Sequence, residues 1–326
     1  MSNAGASMRR LSPALESLLI AVVAVLTYAT LWGLGVWSGA DTHIPDGFPL
    51  WAATATISFV IWLVVFLSGL RRVHGEPERL RRGRPWWLRS ILIYAALAVA
   101  ASGLLIWVTT SMRQSPEEWW VPTAFRVIIA VLTAFGWAAG APWVMLVWIT
   151  HEELRAVGAA ADRSRAPEPA DEFDPRQVDG ESLNRFAHRM QDVWRGIEGP
   201  SLALGLILST LVLNTGTLRI VELDANRPPE TFPPSYVLAY GAFFALVVVA
   251  IVAPLAIEWR RIGLMVISKS LPEPLSGIPS EAQVTAADRI AARLGLDAPL
   301  LRRPITALGL LAPFATAIVA SLVPTS

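Results

Sequence analysis

The stretch that decides the fold is Gly180–Glu222, GESLNRFAHRMQDVWRGIEGPSLALGLILSTLVLNTGTLRIVE. Its first half places apolar residues at helical spacing among charged ones: Leu183, Phe186, Met190, Val193 and Ile197. That spacing predicts an amphipathic helix. Gly199-Pro200 then predicts a break, because proline supplies no backbone donor and suits a first helical turn. Residues 201–221 are apolar and long enough to cross a bilayer, which takes about 20 residues.

Composition places the whole chain in the membrane class. Hydrophobic residues make up 54% of the 326 residues, charged residues make up 16%, and the mean hydropathy is +0.49. The apolar residues cluster in runs of about 20 or more, which is typical of membrane-spanning helices. The chain has no cysteine, which excludes disulfides, thiolate metal sites and a cysteine nucleophile. A net charge of +1 gives no basic field for nucleic acid, so no nucleic-acid partner is expected.

The apolar runs predict an all-α, polytopic bundle with seven transmembrane helices. The expected spans are 13–38, 49–70, 88–110, 122–150, 201–221, 235–257 and 304–323. They divide the chain into an N-terminal tail (1–12), helices one to four (13–150), a polar segment (151–199), helices five and six (200–257), a second polar segment (258–303), and a last helix with a short tail (304–326). Residues 1–7 are expected to be an expression remnant, with Met8 as the native start.

Basic residues are sorted to one side of these spans. The four segments on the N-terminal side hold two, seven, seven and seven of them, whereas the other side holds only Arg113, Arg219 and Arg227. The positive-inside rule therefore predicts that the N-terminus lies inside and the C-terminus outside. Lys269 is the only lysine in the chain, a bias associated with high-GC bacterial genomes. The expected location is the plasma (inner) membrane of such a bacterium.

The two polar segments are expected to contribute two cytoplasmic amphipathic helices. Residues 158–179 have the composition of a flexible tether, followed by the amphipathic half of the opening stretch. Phe186, Met190 and Trp194 of that half are candidates to face a cytoplasmic protein partner. In the second segment, Ser280-x-x-Gln283 is a capping box, and Gly295 ends the helix. One face of that helix is expected to be apolar: Val284, Ala287, Ile290, Ala291 and Leu294.

A polar stripe marks the fifth span, where Thr210, Asn214 and Thr217 recur at helical spacing. Hydroxyls and an amide could line a water-filled path, since they can replace part of the hydration shell of an ion. The alternative is that they hydrogen-bond to neighbouring helices, each bond contributing about 1 kcal/mol or less. Small residues are expected to mediate helix packing in the fourth and fifth spans: Gly136, Gly140, Gly205 and Ser209.

Charged residues near span ends give weaker functional signals. Arg126 lies about one turn inside the outer end of the fourth span, where it can reach the headgroups or pair with a nearby carboxylate.

His151-Glu152-Glu153 matches half of a His-Glu-x-x-His zinc motif, but position 155 is arginine. No phosphate loop, nucleophile elbow or other catalytic motif occurs. We therefore expect neither an enzyme nor a cofactor.

The string His43-Ile44-Pro45-Asp46-Gly47-Phe48, followed by a span, resembles the start of the nickel/cobalt-binding membrane subunit of energy-coupling-factor transporters. In that family the histidine and the N-terminal amine bind the metal, so the resemblance implies His43 as a metal ligand. The match covers about ten of the 326 residues. Thr42 precedes it in mid-chain, and the Gly-Thr-Ser-Gly-His-type ligand segment is absent, so the chain is not assigned to that family.

Two functions fit this architecture. The first is a channel or passive transport protein for ions or small solutes, in which a homo-oligomer forms the path beside the fifth span. The observations behind it are the polar stripe and the lack of mid-span carboxylates for proton relay. The second is a non-conducting scaffold or signalling subunit that contacts a cytoplasmic protein through its amphipathic helices. A stripe buried between helices favours the second function, and a hydrated stripe favours the first.

Overall fold

The fold is built from α-helices alone. A computed structural model describes residues 13–38, 44–74, 84–111, 123–163, 180–224, 232–274, 277–296 and 304–322. Within these ranges the chain forms eight helices: α1 (Pro13–Ser38), α2 (Phe48–His74), α3 (Arg84–Ser111), α4 (Thr123–Arg163), α5 (Gly180–Asp224), α6 (Pro234–Ser270), α7 (Glu281–Leu294) and α8 (Pro304–Ser321). The expected all-α fold is confirmed.

Five helices contain segments that are long and apolar enough to cross a membrane: Ser17–Trp37, Phe48–His74, Val127–Arg163, Leu183–Asp224 and Pro234–Ser270. The chain is therefore a multi-pass membrane protein whose helices contact the lipid bilayer. In α3 and α8 the described apolar segments, Leu88–Ala100 and Ile305–Ser321, are shorter. The third and seventh crossings stay predictions.

Helix α5 lies at the centre of the bundle. It packs against α2, α4, α6 and α8, and its N-terminal part also meets α7. With 45 residues at about 1.5 Å per residue it is roughly 68 Å long, about twice the thickness of a hydrocarbon core. Helix α1 packs on α2 and α4, and α3 lies at the edge against α4.

The expected break at Gly199-Pro200 is wrong, because α5 continues through Pro200. Proline at this position removes one backbone donor. Close packing on both sides nevertheless holds the helix, since Ile197 and Ser201 are fully buried. The hydroxyl of Ser201 donates to the Ile197 carbonyl at 2.7 Å. Tertiary packing has overridden the local signal of the sequence.

Helices α4 and α6 also extend past their expected ends at residues 150 and 257. Residues 158–163, the first part of the expected tether, belong to α4. They are held against the bundle because Ala161 is buried and Asp162 forms a salt bridge with Lys269 of α6, with 3.0 Å between Oδ1 and Nζ. Residues 164–179 of the tether lie outside the described part. We call the region formed by 151–163 of α4, 180–200 of α5, 258–270 of α6, and α7 the charged end of the bundle.

One hydrophobic core runs from the apolar spans into the charged end. At the charged end each of four helices contributes buried side chains: Leu154 and Val157 of α4, Leu183 and Met190 of α5, Ile262 and Val266 of α6, and Ile290 and Leu294 of α7. They belong to the same cluster as Trp62, Leu204 and Val248 of the apolar spans. The charged end is thus a continuation of the membrane bundle.

Helix α7 has the predicted caps. Ser280 accepts from the Gln283 backbone N–H, the Gln283 side chain accepts from the Ser280 N–H at 2.8 Å, and Gly295 adopts a left-handed conformation with φ 73°. Its predicted apolar face is partly wrong, since Val284 is 46% exposed. Gln283 is buried instead and donates to the Pro272 carbonyl at 3.2 Å, which joins α7 to the segment after α6.

Candidate functional site

The polar stripe of α5 begins with Thr210, which lies against α2. The indole Nε1 of Trp62 donates to Thr210 Oγ1 at 2.7 Å, and Thr210 Oγ1 in turn donates to the Ile207 carbonyl at 2.8 Å. Both side chains are buried, Thr210 at 8% exposure. In an apolar bundle such a bond holds two helices together because neither group finds water. The hydroxyl of Thr210 is therefore engaged between α2 and α5.

The two remaining residues of the stripe differ in how their polar atoms are satisfied. Thr217 is buried, and its hydroxyl donates to the Asn214 carbonyl at 3.1 Å, within its own helix. Asn214 is half-buried, and its side-chain oxygen has no hydrogen-bond partner among the described residues. The placement of all three along a conduction path stays a prediction.

The seam between α5 and α8 is made of small residues. Gly205 lies against the backbone of Gly309, so closely that a Cβ atom at position 205 would collide with the Gly309 carbonyl. One helical face carries Gly205, Ser209 and Gly216, and a Cβ at Gly216 would lie 2.7 Å from Cβ of Ala320. The hydroxyls of Ser209 and Thr306 are buried without partners among the described residues. Close approach of α5 and α8 thus leaves polar atoms enclosed.

Gly136 and Gly140 of α4 each lie beside a large aromatic side chain. A Cβ at Gly136 would lie 3.5 Å from the Trp62 ring, and one at Gly140 would lie 3.0 Å from the Tyr94 hydroxyl. Tyr94 donates that hydroxyl to the Trp137 carbonyl, which joins α3 to α4. The two glycines therefore leave room for aromatic side chains of α2 and α3.

The residues expected to face a partner pack inside the protein instead. Met190 is fully buried and Trp194 is 5% exposed, while Phe186 packs at the edge of the core. The Trp194 and Trp259 ring centroids are 4.7 Å apart, and Trp259 Nε1 donates to the Met190 carbonyl at 3.0 Å. This prediction is corrected because α4, α6 and α7 of the same chain cover the apolar face of α5.

The two remaining candidates cannot be placed in a site. Arg126 belongs to α4, but its side chain lies outside the described part, and His43 lies outside it altogether. Among the residues that the structure describes, no group of three histidine, aspartate or glutamate side chains could hold a metal ion.

Arg219 is a buried charge that the sequence pattern did not single out as a functional residue. It lies near the C-terminal end of α5, is 6% exposed, and donates its Nε to the Phe232 carbonyl at 2.8 Å. The bond joins the end of α5 to the segment that precedes α6. The sequence signal for it is the presence of a charged residue just inside an apolar span.

A cavity of about 580 Å³ opens between α4 and α6 at the charged end. Its polar lining comes from His151, Arg155, Asp162, Glu258 and Arg261. Only His151 among them belongs to a motif that suggested a site from the sequence, the partial His-Glu-x-x-His match. The helical spacing of His151 with Arg155, and of Glu258 with Arg261, places each pair on one face. That the two faces meet depends on the packing of α4 against α6, which no local pattern reveals.

The chain matches no model of a known protein family, no curated protein and no solved structure.

Proposed function

We propose that this protein is a non-conducting membrane subunit that holds or signals to a cytoplasmic protein through its charged end. The observation that carries the proposal is the continuity of α5, which runs without a break from the apolar spans into the charged end. The core is continuous in the same way. A displacement of α5 in the membrane would therefore move the charged end with it, because close-packed interiors transmit strain.

The proposal includes a topology of seven crossings, made by α1 to α6 and α8. The charged end and the N-terminus lie in the cytoplasm, and the C-terminus lies outside. The support is the charge bias, since the segments assigned to the cytoplasm carry nearly all basic residues. The proposed location is the inner membrane of a bacterium.

The surface proposed to meet the partner is the polar face of α5, opposite its buried Met190 and Trp194. The exposed residues there are Asn184, Arg185, His188, Arg189, Gln191, Asp192 and Arg195. This face carries charge of both signs, and such a surface discriminates partners through charge complementarity.

Site-specific photocrosslinking in native membranes tests the proposal. A benzoylphenylalanine at Arg189 is expected to give one discrete protein adduct. The matched control is the same probe at Leu246 of α6, which is 68% exposed in an apolar span and is expected to give none. The proposal fails if probes at His188, Arg189 and Asp192 all give no adduct, or if Leu246 gives the same one.

A second candidate function is passive conduction through a homo-oligomer, with the path beside α5. The observation that favours it is the set of enclosed polar atoms on Ser209, Asn214 and Thr306, which have no hydrogen-bond partner in the part of the chain that the structure describes. A buried polar atom left unpaired costs about 1–3 kcal/mol, which water or an ion in a path would offset.

Flux measurements on reconstituted vesicles decide whether conduction occurs. Conduction predicts that the wild-type protein raises ion or solute flux above that of protein-free vesicles. It also predicts that Thr210→Leu and Asn214→Leu lower this flux. Flux equal to that of protein-free vesicles, or unchanged in both variants, contradicts the conduction candidate.

A further inference from the structure

The cavity between α4 and α6 lies where both helices leave their apolar stretches. The apolar run of α4 ends at Thr150, directly before His151, and that of α6 ends at Ile257, directly before Glu258. At about 580 Å³ the cavity falls within the usual range for small-molecule sites, about 300–1,000 Å³. Its position is thus at the boundary between the hydrocarbon layer and the polar region.

Both carboxylates in the lining are already neutralised by cations of this chain. Glu258 accepts two bonds from Arg261, at 2.9 and 2.7 Å. Asp162 pairs with Lys269 of α6 at 3.0 Å. Neither carboxylate therefore needs a further cation.

Two further basic side chains line the cavity. Arg155 is exposed and His151 is half-buried. Neither makes a hydrogen bond to another described residue, and both attract the Glu258 carboxylate of α6 across the cavity. They lie four residues apart on α4 and so share one face. A guanidinium offers a planar fork of donors that matches two oxygens of a phosphate.

The remaining wall of the cavity is apolar. Ile262 and Met265 of α6 line it, together with Pro254 one turn before Glu258. Gly158 of α4 lies in close contact with this wall, since a Cβ there would lie only 2.9 Å from Ile262 Cδ1. A ligand that carries both an anionic group and a hydrocarbon portion would therefore match the basic part and the apolar part of the lining.

We propose that this cavity binds the phosphate of an anionic phospholipid, with Arg155 and His151 on the phosphate oxygens and the acyl region beside Ile262 and Met265. Basic pockets between transmembrane helices on the cytoplasmic side are a recurrent form of lipid recognition. The shared chemistry is a phosphate ester, and a free phosphate from solution is the other source of the same group. The apolar wall and the boundary position favour the lipid.

The test is a binding titration of the purified full chain in detergent at about 0.15 M salt, where diffuse surface attraction is screened. The probes are dioctanoyl phosphatidylglycerol, dioctanoyl phosphatidylcholine and inorganic phosphate. We expect phosphatidylglycerol to bind at least about tenfold more tightly than phosphatidylcholine, which has the same chains and no net charge. Arg155→Gln should weaken that binding about tenfold, as expected for the loss of one charge-assisted bond.

The matched control is Arg163→Gln on the same helix. Arg163 is exposed, bonds the carbonyl of Ala159 and no other described residue, and does not line the cavity. Its replacement should leave the affinity unchanged. Ala159→Glu is a second variant, which keeps all native cations and adds a carboxylate to the wall. It should weaken phosphatidylglycerol binding at least as much as Arg155→Gln, and it carries the test if Arg155→Gln does not fold.

Each other outcome overturns a stated part of the proposal. If Arg163→Gln loses as much phosphatidylglycerol affinity as Arg155→Gln, the binding is due to diffuse charge attraction and the cavity is not the binding site. Unchanged phosphatidylglycerol affinity in folded Arg155→Gln, or in Ala159→Glu, would also show that the cavity is not the binding site. Inorganic phosphate that binds as tightly as phosphatidylglycerol would overturn the lipid as ligand and assign the cavity to a soluble phosphate.

Discussion

At the scale of single residues, the hydrogen bond from Trp62 to Thr210 shows how the first residue of the polar stripe is engaged in the bundle. The bond is short and buried, and it joins α2 to α5 across a large sequence separation. Among the described residues, the indole Nε1 of Trp62 has one other acceptor within reach, the Ile207 carbonyl at 3.3 Å. A stripe residue used in this way stabilises packing.

Thr210→Val tests that role because valine keeps the shape and removes the hydroxyl. We expect a loss of about 0.5–1 kcal/mol in the free energy of unfolding, the usual contribution of such a bond in a membrane bundle. The loss would appear as a lower thermal midpoint in detergent. Thr30→Val is the control, because the Thr30 hydroxyl is exposed and its one bond to a described residue is to the Leu26 carbonyl of its own helix. Equal midpoints for the two variants would contradict the interhelical role.

At the scale of elements, the position of α8 depends on the backbone contact between Gly205 and Gly309. A side chain at position 205 would meet the backbone carbonyl of Gly309. A backbone atom cannot move aside as the end of a flexible side chain does. Helix α8 also meets α6 in the same manner, because a Cβ at Gly241 would collide with Ala317. The helix is thus seated between α5 and α6.

Gly205→Ala is expected to destabilise the protein by about 1–3 kcal/mol, because the added methyl overpacks this seam. The matched control is Gly33→Ala on α1, where no atom of another described element lies within 4 Å of an added Cβ. The control should be neutral or more stable than the wild type by up to about 1 kcal/mol, because alanine is the better helix former. Thermal unfolding of both variants in the same detergent measures the difference. A neutral Gly205→Ala would contradict the close contact.

The helices differ in how far the sequence determined them. The caps of α7 were predictable, because Ser280, Gln283 and Gly295 act within one turn of their own helix. The continuity of α5 was not, because Pro200 is a local signal for a break and the packing that overrides it comes from other helices. The role of Met190 and Trp194 was missed for the same reason. An amphipathic face indicates that something covers it without indicating what.

At the scale of the whole molecule, hydropathy indicated the membrane class and the charge bias indicated an orientation. Both signals are sums over many residues, so they survive local exceptions such as Pro200. The cavity at the charged end was not predictable in this way. It forms where Arg155 of α4 faces Glu258 and Arg261 of α6, and that encounter depends on tertiary packing.

The proposed orientation is testable because the chain has no cysteine. Ser235→Cys and Asp192→Cys, both at exposed positions, give single labelling sites on opposite sides of the proposed membrane. A membrane-impermeant maleimide should label position 235 in intact cells and position 192 only after permeabilisation. Both should react in detergent, which controls for reactivity. Labelling of position 192 in intact cells would contradict the topology.

Helix α5 connects the membrane bundle to the charged end as one continuous helix, and the proposed function depends on this continuity. The most direct measurement is the distance between spin labels on Asp192→Cys and Leu206→Cys, two exposed positions on either side of Pro200, in lipid nanodiscs. A continuous helix predicts one narrow distribution near 21 Å between the backbones, from about 1.5 Å per residue. A shorter or broad distribution would show a break at Pro200 and contradict the coupling of the two regions.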